Sequence, residues 1–185
     1  PQAEANTLWQ GVRQAIADSQ IDTARITFYL FDEPTLRGIA LGDLAPFANQ
    51  IKQTYPDSKI LLIEAFSDTT PPVVPDFVDL WGFNAYTIRD PAAEPRYTGY
   101  LDQAAAQLRS DQAPVLVGDG IHTPFHANAG LSQADMAEVA RNYFALAESR
   151  RDVAALLVYT WAGGIDNDQE RGVRDLPAEV QDQWR

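Results

Sequence analysis

Apolar residues alternate along the chain between helical and extended spacing. Leu8, Val12, Ala15 and Ile16 share one face and predict a helix over residues 4–19. The run Arg25-Ile-Thr-Phe-Tyr-Leu-Phe31 then predicts a buried strand, which stops at Asp32-Glu33-Pro34. Leu44, Phe47, Ala48 and Ile51 mark a second helix, ended near Tyr55-Pro56-Asp57 by the proline. Further strands are expected over 59–66, 77–86, 114–118 and 153–160. A helix is expected over 100–108, a long one after Ser132 as N-cap, and a short one near 177–184. Met136, Val139, Ala140, Tyr143, Phe144 and Ala147 form the apolar face of the long helix.

Strands that are apolar throughout and separated by helices imply a parallel sheet covered on both faces. The topology is then either an open doubly wound sheet or part of a barrel. One connection breaks the rhythm: Ser67 to Asp76 carries three prolines and leaves no room for a regular helix.

The strand ends collect polar and aromatic groups. They are Asp32 and Glu33, Glu64 and Asp68, Asn84 and Tyr86, Asp119 and His122, and Tyr159 and Trp161. In parallel α/β folds, residues at these ends share one cleft. Carboxylates from different strands beside aromatic rings suit glycoside hydrolysis. One carboxylic acid protonates the leaving oxygen and a second carboxylate acts as nucleophile or base. That chemistry implies no cofactor.

Four segments carry a resemblance: Phe-Asp-Glu-Pro (31–34), Trp-Gly-Phe-Asn-Ala-Tyr (81–86), Val-Gly-Asp-Gly (117–120) and Tyr-Thr-Trp-Ala-Gly-Gly (159–164). In order and spacing they resemble strands four, six, seven and eight of clan A glycoside hydrolases. The resemblance implies a (β/α)₈ TIM-barrel-type α/β fold, with only the C-terminal five β/α units here, as a single partial barrel domain over 1–185. It makes Glu33 the acid/base, Tyr86 the group that orients the nucleophile, and Trp161 the sugar platform. Asp119 stands where the clan has a nucleophilic Glu, and Asp32 where it has Asn. An Asp-Glu pair also resembles substrate-assisted N-acetylhexosaminidases, in which Asp32 would orient the 2-acetamido group. A further alternative is a non-catalytic or degenerate carbohydrate-binding barrel.

Each residue also has a plainer reading. Glu33 suits the start of a helix, Asp32 a turn cap, and Asp119 a turn between two glycines. Glu64, placed with Asn84 and His122 among the substrate-binding candidates, also suits a structural pair within its strand. Tyr86 and Trp161 suit core positions, and Trp81 is read as core. His122 and His126 have a zinc-like spacing, but Pro124 argues against a helix between them, and no metal is expected. Asp166, Asn167, Asp168 and Glu170 are read as a solvated acidic loop.

Charge narrows the partners. Fourteen basic and 26 acidic residues leave a net charge of −12, which repels a phosphate backbone. No nucleic acid and no membrane partner is expected; a carbohydrate substrate is, with a missing N-terminal barrel segment or another chain covering the open sheet edges. No Gly-x-Ser-x-Gly elbow supports an α/β-hydrolase. The absence of cysteine excludes disulfides and thiolate chemistry. Residues 1–6 do not read as a signal peptide, and prior removal of a leader leaves secretion open.

Overall fold

The computed structural model describes residues 2–165 and 168–185. Five strands form one parallel sheet: β1 (Thr27–Asp32), β2 (Lys59–Ala65), β3 (Leu80–Asn84), β4 (Ala113–Asp119) and, beyond the two-residue β5 (Ile121–His122), β6 (Ala155–Tyr159). Their spatial order is their chain order, β1-β2-β3-β4-β6. A doubly wound sheet would reverse direction partway across. The architecture is therefore a half-barrel. β5 pairs antiparallel with β7 (Arg171–Gly172) beside it.

Among the described residues six α-helices accompany the strands: α1 (Gln2–Ser19), α2 (Leu41–Thr54), α3 (Pro95–Ala105), α4 (Pro124–Asn128), α5 (Met136–Ser149) and α6 (Ala178–Gln183). The proline-rich segment between β2 and β3 contains no helix, as its composition predicts.

Alternation along the strands makes two apolar layers. Ile60, Leu62, Trp81, Phe83 and Leu116 face the helices, where they meet Leu44, Ile51, Tyr97, Leu101 and Tyr143. Leu61, Ile63, Val115 and Val117 form the opposite, inner layer. Apolar burial on both faces is why these strands read as continuous runs. Trp81 is a core residue, fully buried. Gly118 faces outward under the Trp184 indole; a Cβ there would lie 2.3 Å from Trp184 Cη2. This close approach seats α6 against β4.

The register of β1 slips between Tyr29 and Phe31. Tyr29 pairs with inner-face Leu61, Phe31 with outer-face Leu62, and Asp32 with inner-face Ile63. The extra residue, Leu30, resets the alternation, so Asp32 points inward at the strand end. β1 and β6 are edge strands, and their inner-face residues Tyr29 and Leu157 stay partly exposed.

Several expected boundaries shift. β3 is confined to Leu80–Asn84, which leaves Tyr86 beyond it, and α3 begins earlier than expected, at Pro95. Pro95 suits this position because a helix's first N–H has no intrahelical partner. Ser132 is not the N-cap of α5, which is Asp135; it closes the turn ahead of that helix. Its hydroxyl accepts from Asp135 N–H while Asp135 Oδ2 accepts from Ser132 N–H and Oγ. Pro124 opens α4 instead of breaking a helix, so His126 is helical and His122 is not. Glu170 is buried and accepts from Ile165 N–H, contrary to a solvated loop; Asp168 is exposed, and Asp166 and Asn167 lie outside the described residues.

Candidate functional site

Register places Asp32, Asn84, Asp119 and Tyr159 on the inner face at the C-terminal strand ends. Glu33 follows directly after β1 with a left-handed backbone, φ 53°. Its N–H donates to Ile63 O at 2.7 Å, and its carbonyl accepts from Arg37 N–H at 3.1 Å. Asn84 Nδ2 donates to Glu33 Oε1 at 2.9 Å and lies 3.5 Å from Asp32 Oδ1. Asp32 also accepts from the Tyr29 hydroxyl and pairs with Arg37 at 3.2 Å. The Asp32–Arg37 pair is well exposed, so it contributes at most about 1 kcal/mol. Burial, then the bond to Asp32, raises the pKa of Tyr29 and keeps its hydroxyl a donor.

Asp119 is a different kind of carboxylate. Its side chain is 0% exposed and is enclosed by its partners. His126 Nε2 lies 3.0 and 3.1 Å from its two oxygens, and Thr87 N–H donates at 2.9 Å. Thr123 N–H donates to His126 Nδ1. With Nδ1 accepting, the ring proton is assigned to Nε2, from which it is donated to Asp119.

Tyr86 lies between these two groups. Its ring centroid is 6.4 Å from those of both His126 and Tyr159. Burial first, and then the charges of Glu33 and Asp119, raise its pKa and keep the phenol protonated. Trp161 is 42% exposed, with the Arg185 guanidinium 5.9 Å over its ring. His122 is half-buried and tied through Nε2 to Leu131 O at 2.9 Å.

The strand ends thus bring together Asp32, Glu33, Asn84 and Tyr86, with Asp119 sealed beside them. Glu64 does not join this group. Its register partner is outer-face Phe83, so its side chain points toward the helices. There it accepts from Thr35 Oγ1 at 2.9 Å, and desolvation raises its pKa. Sequence reasoning did not identify Tyr29 and Thr87 as part of the site, and read His126 only through its spacing from His122. A carboxylate at a strand end needs donors, and that need is the one sequence signal for Tyr29 and Thr87. Among the described residues no cluster of three or more His, Asp or Glu could hold a metal ion, and no helix is long and apolar enough to cross a membrane.

No protein-family model matches the chain, and no curated protein matches it. Solved structures do. A GH128 (subgroup VI) exo-β-1,3-glucanase from Aureobasidium namibiae aligns with a TM-score of 0.56 at 15% identity, over 85% of this chain and 66% of that one. A GH113 β-1,4-mannanase, solved as a complex, aligns with a TM-score of 0.51 at 13% identity, over 78% of this chain and 51% of that one. The chain therefore spans just under two thirds of the first and about half of the second. At these identities the likeness is one of fold. The chain has a half-barrel fold similar to part of these glycoside hydrolases, as the motifs at its strand ends imply.

Proposed function

We propose that this half-barrel belongs to a glycoside hydrolase that cleaves O-glycosidic bonds, with Glu33 as its general acid. The observation that carries the reading is the 2.9 Å bond from Asn84 Nδ2 to Glu33 Oε1, which holds the Glu33 carboxyl at the mouth of the inner face. Because Asn84 occupies Oε1, Oε2 is the oxygen left to carry a proton. Glu33 donates that proton to the glycosidic oxygen as the bond to the anomeric carbon breaks. Tyr86, held protonated, offers its hydroxyl to the departing or attacking group. The half-exposed Trp161 indole presents a face on which a sugar ring stacks. The glycoside hydrolase fold neighbours and the acidic charge favour a carbohydrate over a polyanion. The bare inner-face residues at the two sheet edges favour a covering segment, from the same protein or another chain.

One observation favours a second reading of the partner carboxylate. Asp119 is enclosed by His126 and Thr87, which suits a positioning anion better than a nucleophile. Asp32, directly beside Glu33 and open to solvent, then serves to orient a 2-acetamido group that attacks in its place.

The test is Glu33→Gln in the full-length protein, assayed on an activated aryl glycoside and on a natural oligosaccharide. Removing a general acid costs about 10²–10⁴-fold where the leaving group needs protonation. The oligosaccharide should lose that factor and the aryl glycoside far less. Equal loss on both, or none, overturns the role of Glu33. A large loss in Asp119→Asn makes Asp119 the nucleophile or base. A small loss there, with a large one in Asp32→Asn on 2-acetamido sugars, makes the reaction substrate-assisted. A wild-type protein that binds glycans but cleaves none is a carbohydrate-binding barrel.

A further inference from the structure

Glu64 is a buried acid that the proposed reaction does not use. It lies on the helix side of β2, 5% exposed, and its carboxylate accepts from Thr35 Oγ1 at 2.9 Å. Thr35 is two residues beyond Glu33. The turn between them is closed on itself: Arg37 N–H donates to Glu33 O, Gly38 N–H to Thr35 O, and Ile39 N–H to Pro34 O. A turn bonded this way moves as a unit.

Consecutive residues of β2 tie that unit down. Ile63 O accepts from Glu33 N–H at 2.7 Å, and the Glu64 carboxylate holds Thr35. Glu33 itself has φ 53°, a conformation that a side chain with a Cβ adopts only where its surroundings force it. Between Thr35, Glu64 and Tyr100 lies a cavity of about 250 Å³, room into which the turn can shift once released.

We infer that Glu64 is a positioning residue for Glu33: its bond to Thr35 clamps the turn that presents the acid to the inner face. The inference rests on the reading of Glu33 as the general acid. Glu64 touches no substrate; it sets where Glu33 points. The clamp needs a hydroxyl at position 35 and an acceptor at position 64.

Thr35→Val keeps the shape and removes the hydroxyl, at a position open to solvent, so the protein should still fold. In the full-length enzyme kcat should fall about 10- to 100-fold with KM little changed, because a displaced acid is still present but misaimed. The loss should be greater on substrates with poor leaving groups. Thr35→Ser, which restores the hydroxyl, should return kcat to within about twofold of wild type. Independently of activity, amide exchange at Glu33 N–H should quicken in Thr35→Val and not in Thr35→Ser. Unchanged exchange in Thr35→Val overturns the clamp, whatever the kinetics. Equal kinetics for the Val and Ser variants also overturns it. If Glu33→Gln proves harmless, the general-acid reading fails; quickened exchange in Thr35→Val would then mark Glu64 as a clamp on the turn alone.

Discussion

Asn84 on β3 reaches Glu33, beyond the end of β1, although β2 runs between them. The inner-face residue of β2 at that level is Ala65, whose register partner is Asn84. Its methyl group leaves the gap that the amide crosses. Ala65→Leu should fill the gap, separate the amide from the acid and lower turnover about 100-fold, as Asn84→Ala should by removing the donor. Steady-state kinetics on the full-length protein checks both. If Ala65→Leu retains wild-type turnover, the bond is not what aims Glu33.

Glu33 occupies the left-handed region, which favours glycine. Glu33→Gly and Glu33→Ala remove the same carboxyl and the same bond to Asn84. The glycine variant should nevertheless be more stable by about 1 kcal/mol, since only alanine retains a Cβ to strain. Urea unfolding of the two variants side by side measures the difference. The acid is thus held in place at some cost to stability.

His126 is the buried donor to a buried carboxylate. His126→Ala should destabilise the protein by about 3 kcal/mol, because Asp119 is left charged and poorly partnered away from water. His126→Gln retains an N–H donor and should lose clearly less. Equal losses in the two, measured by denaturant midpoint, would mean that packing of the ring matters more than its bond to Asp119.

Burial raises the carboxyl pKa of Glu64 above its ordinary value of 4.5. The folded chain therefore binds this proton more tightly than the unfolded chain does. The stability it contributes is fully present below the unfolded value and is lost as pH rises through the folded one. Glu64→Gln does not titrate. The unfolding free energy of wild type relative to Glu64→Gln should therefore decline as pH rises above the ordinary carboxyl value of 4.5. A rise above that value would contradict desolvation as the dominant influence on Glu64.

The strands were legible because a parallel sheet buried on both faces leaves unbroken apolar runs, as in Lys59–Ala65. The grouping of Glu33 with Asn84 was legible from the rule that such strands end at a common cleft. Which face each side chain takes was less so. Glu64 sits in a run apolar on both sides, and only its pairing with Phe83 assigns it to the helix layer. The Asp119–His126 pair was obscured because its two members are joined by the two-residue β5 and the start of α4, and their proximity depends on the fold of that connection. Tyr29 was absorbed into its apolar strand, where its spacing reads as core although the ring is half exposed and its hydroxyl serves Asp32.

The extra residue in β1 acts like a frameshift in the geometry of the strand. Upstream of Leu30 the chain is in one phase with β2, and downstream it is in the other. Deleting Leu30 would let the strand pair without the slip, and Tyr29, Phe31 and Asp32 would keep their partners Leu61, Leu62 and Ile63 and so their faces. Straightening the strand with Leu30 retained would instead turn Phe31 to the inner face and Asp32 toward the helices, and the acidic end of the strand would be presented to the wrong side of the sheet. The slip, as much as residue identity, therefore decides where Asp32 points.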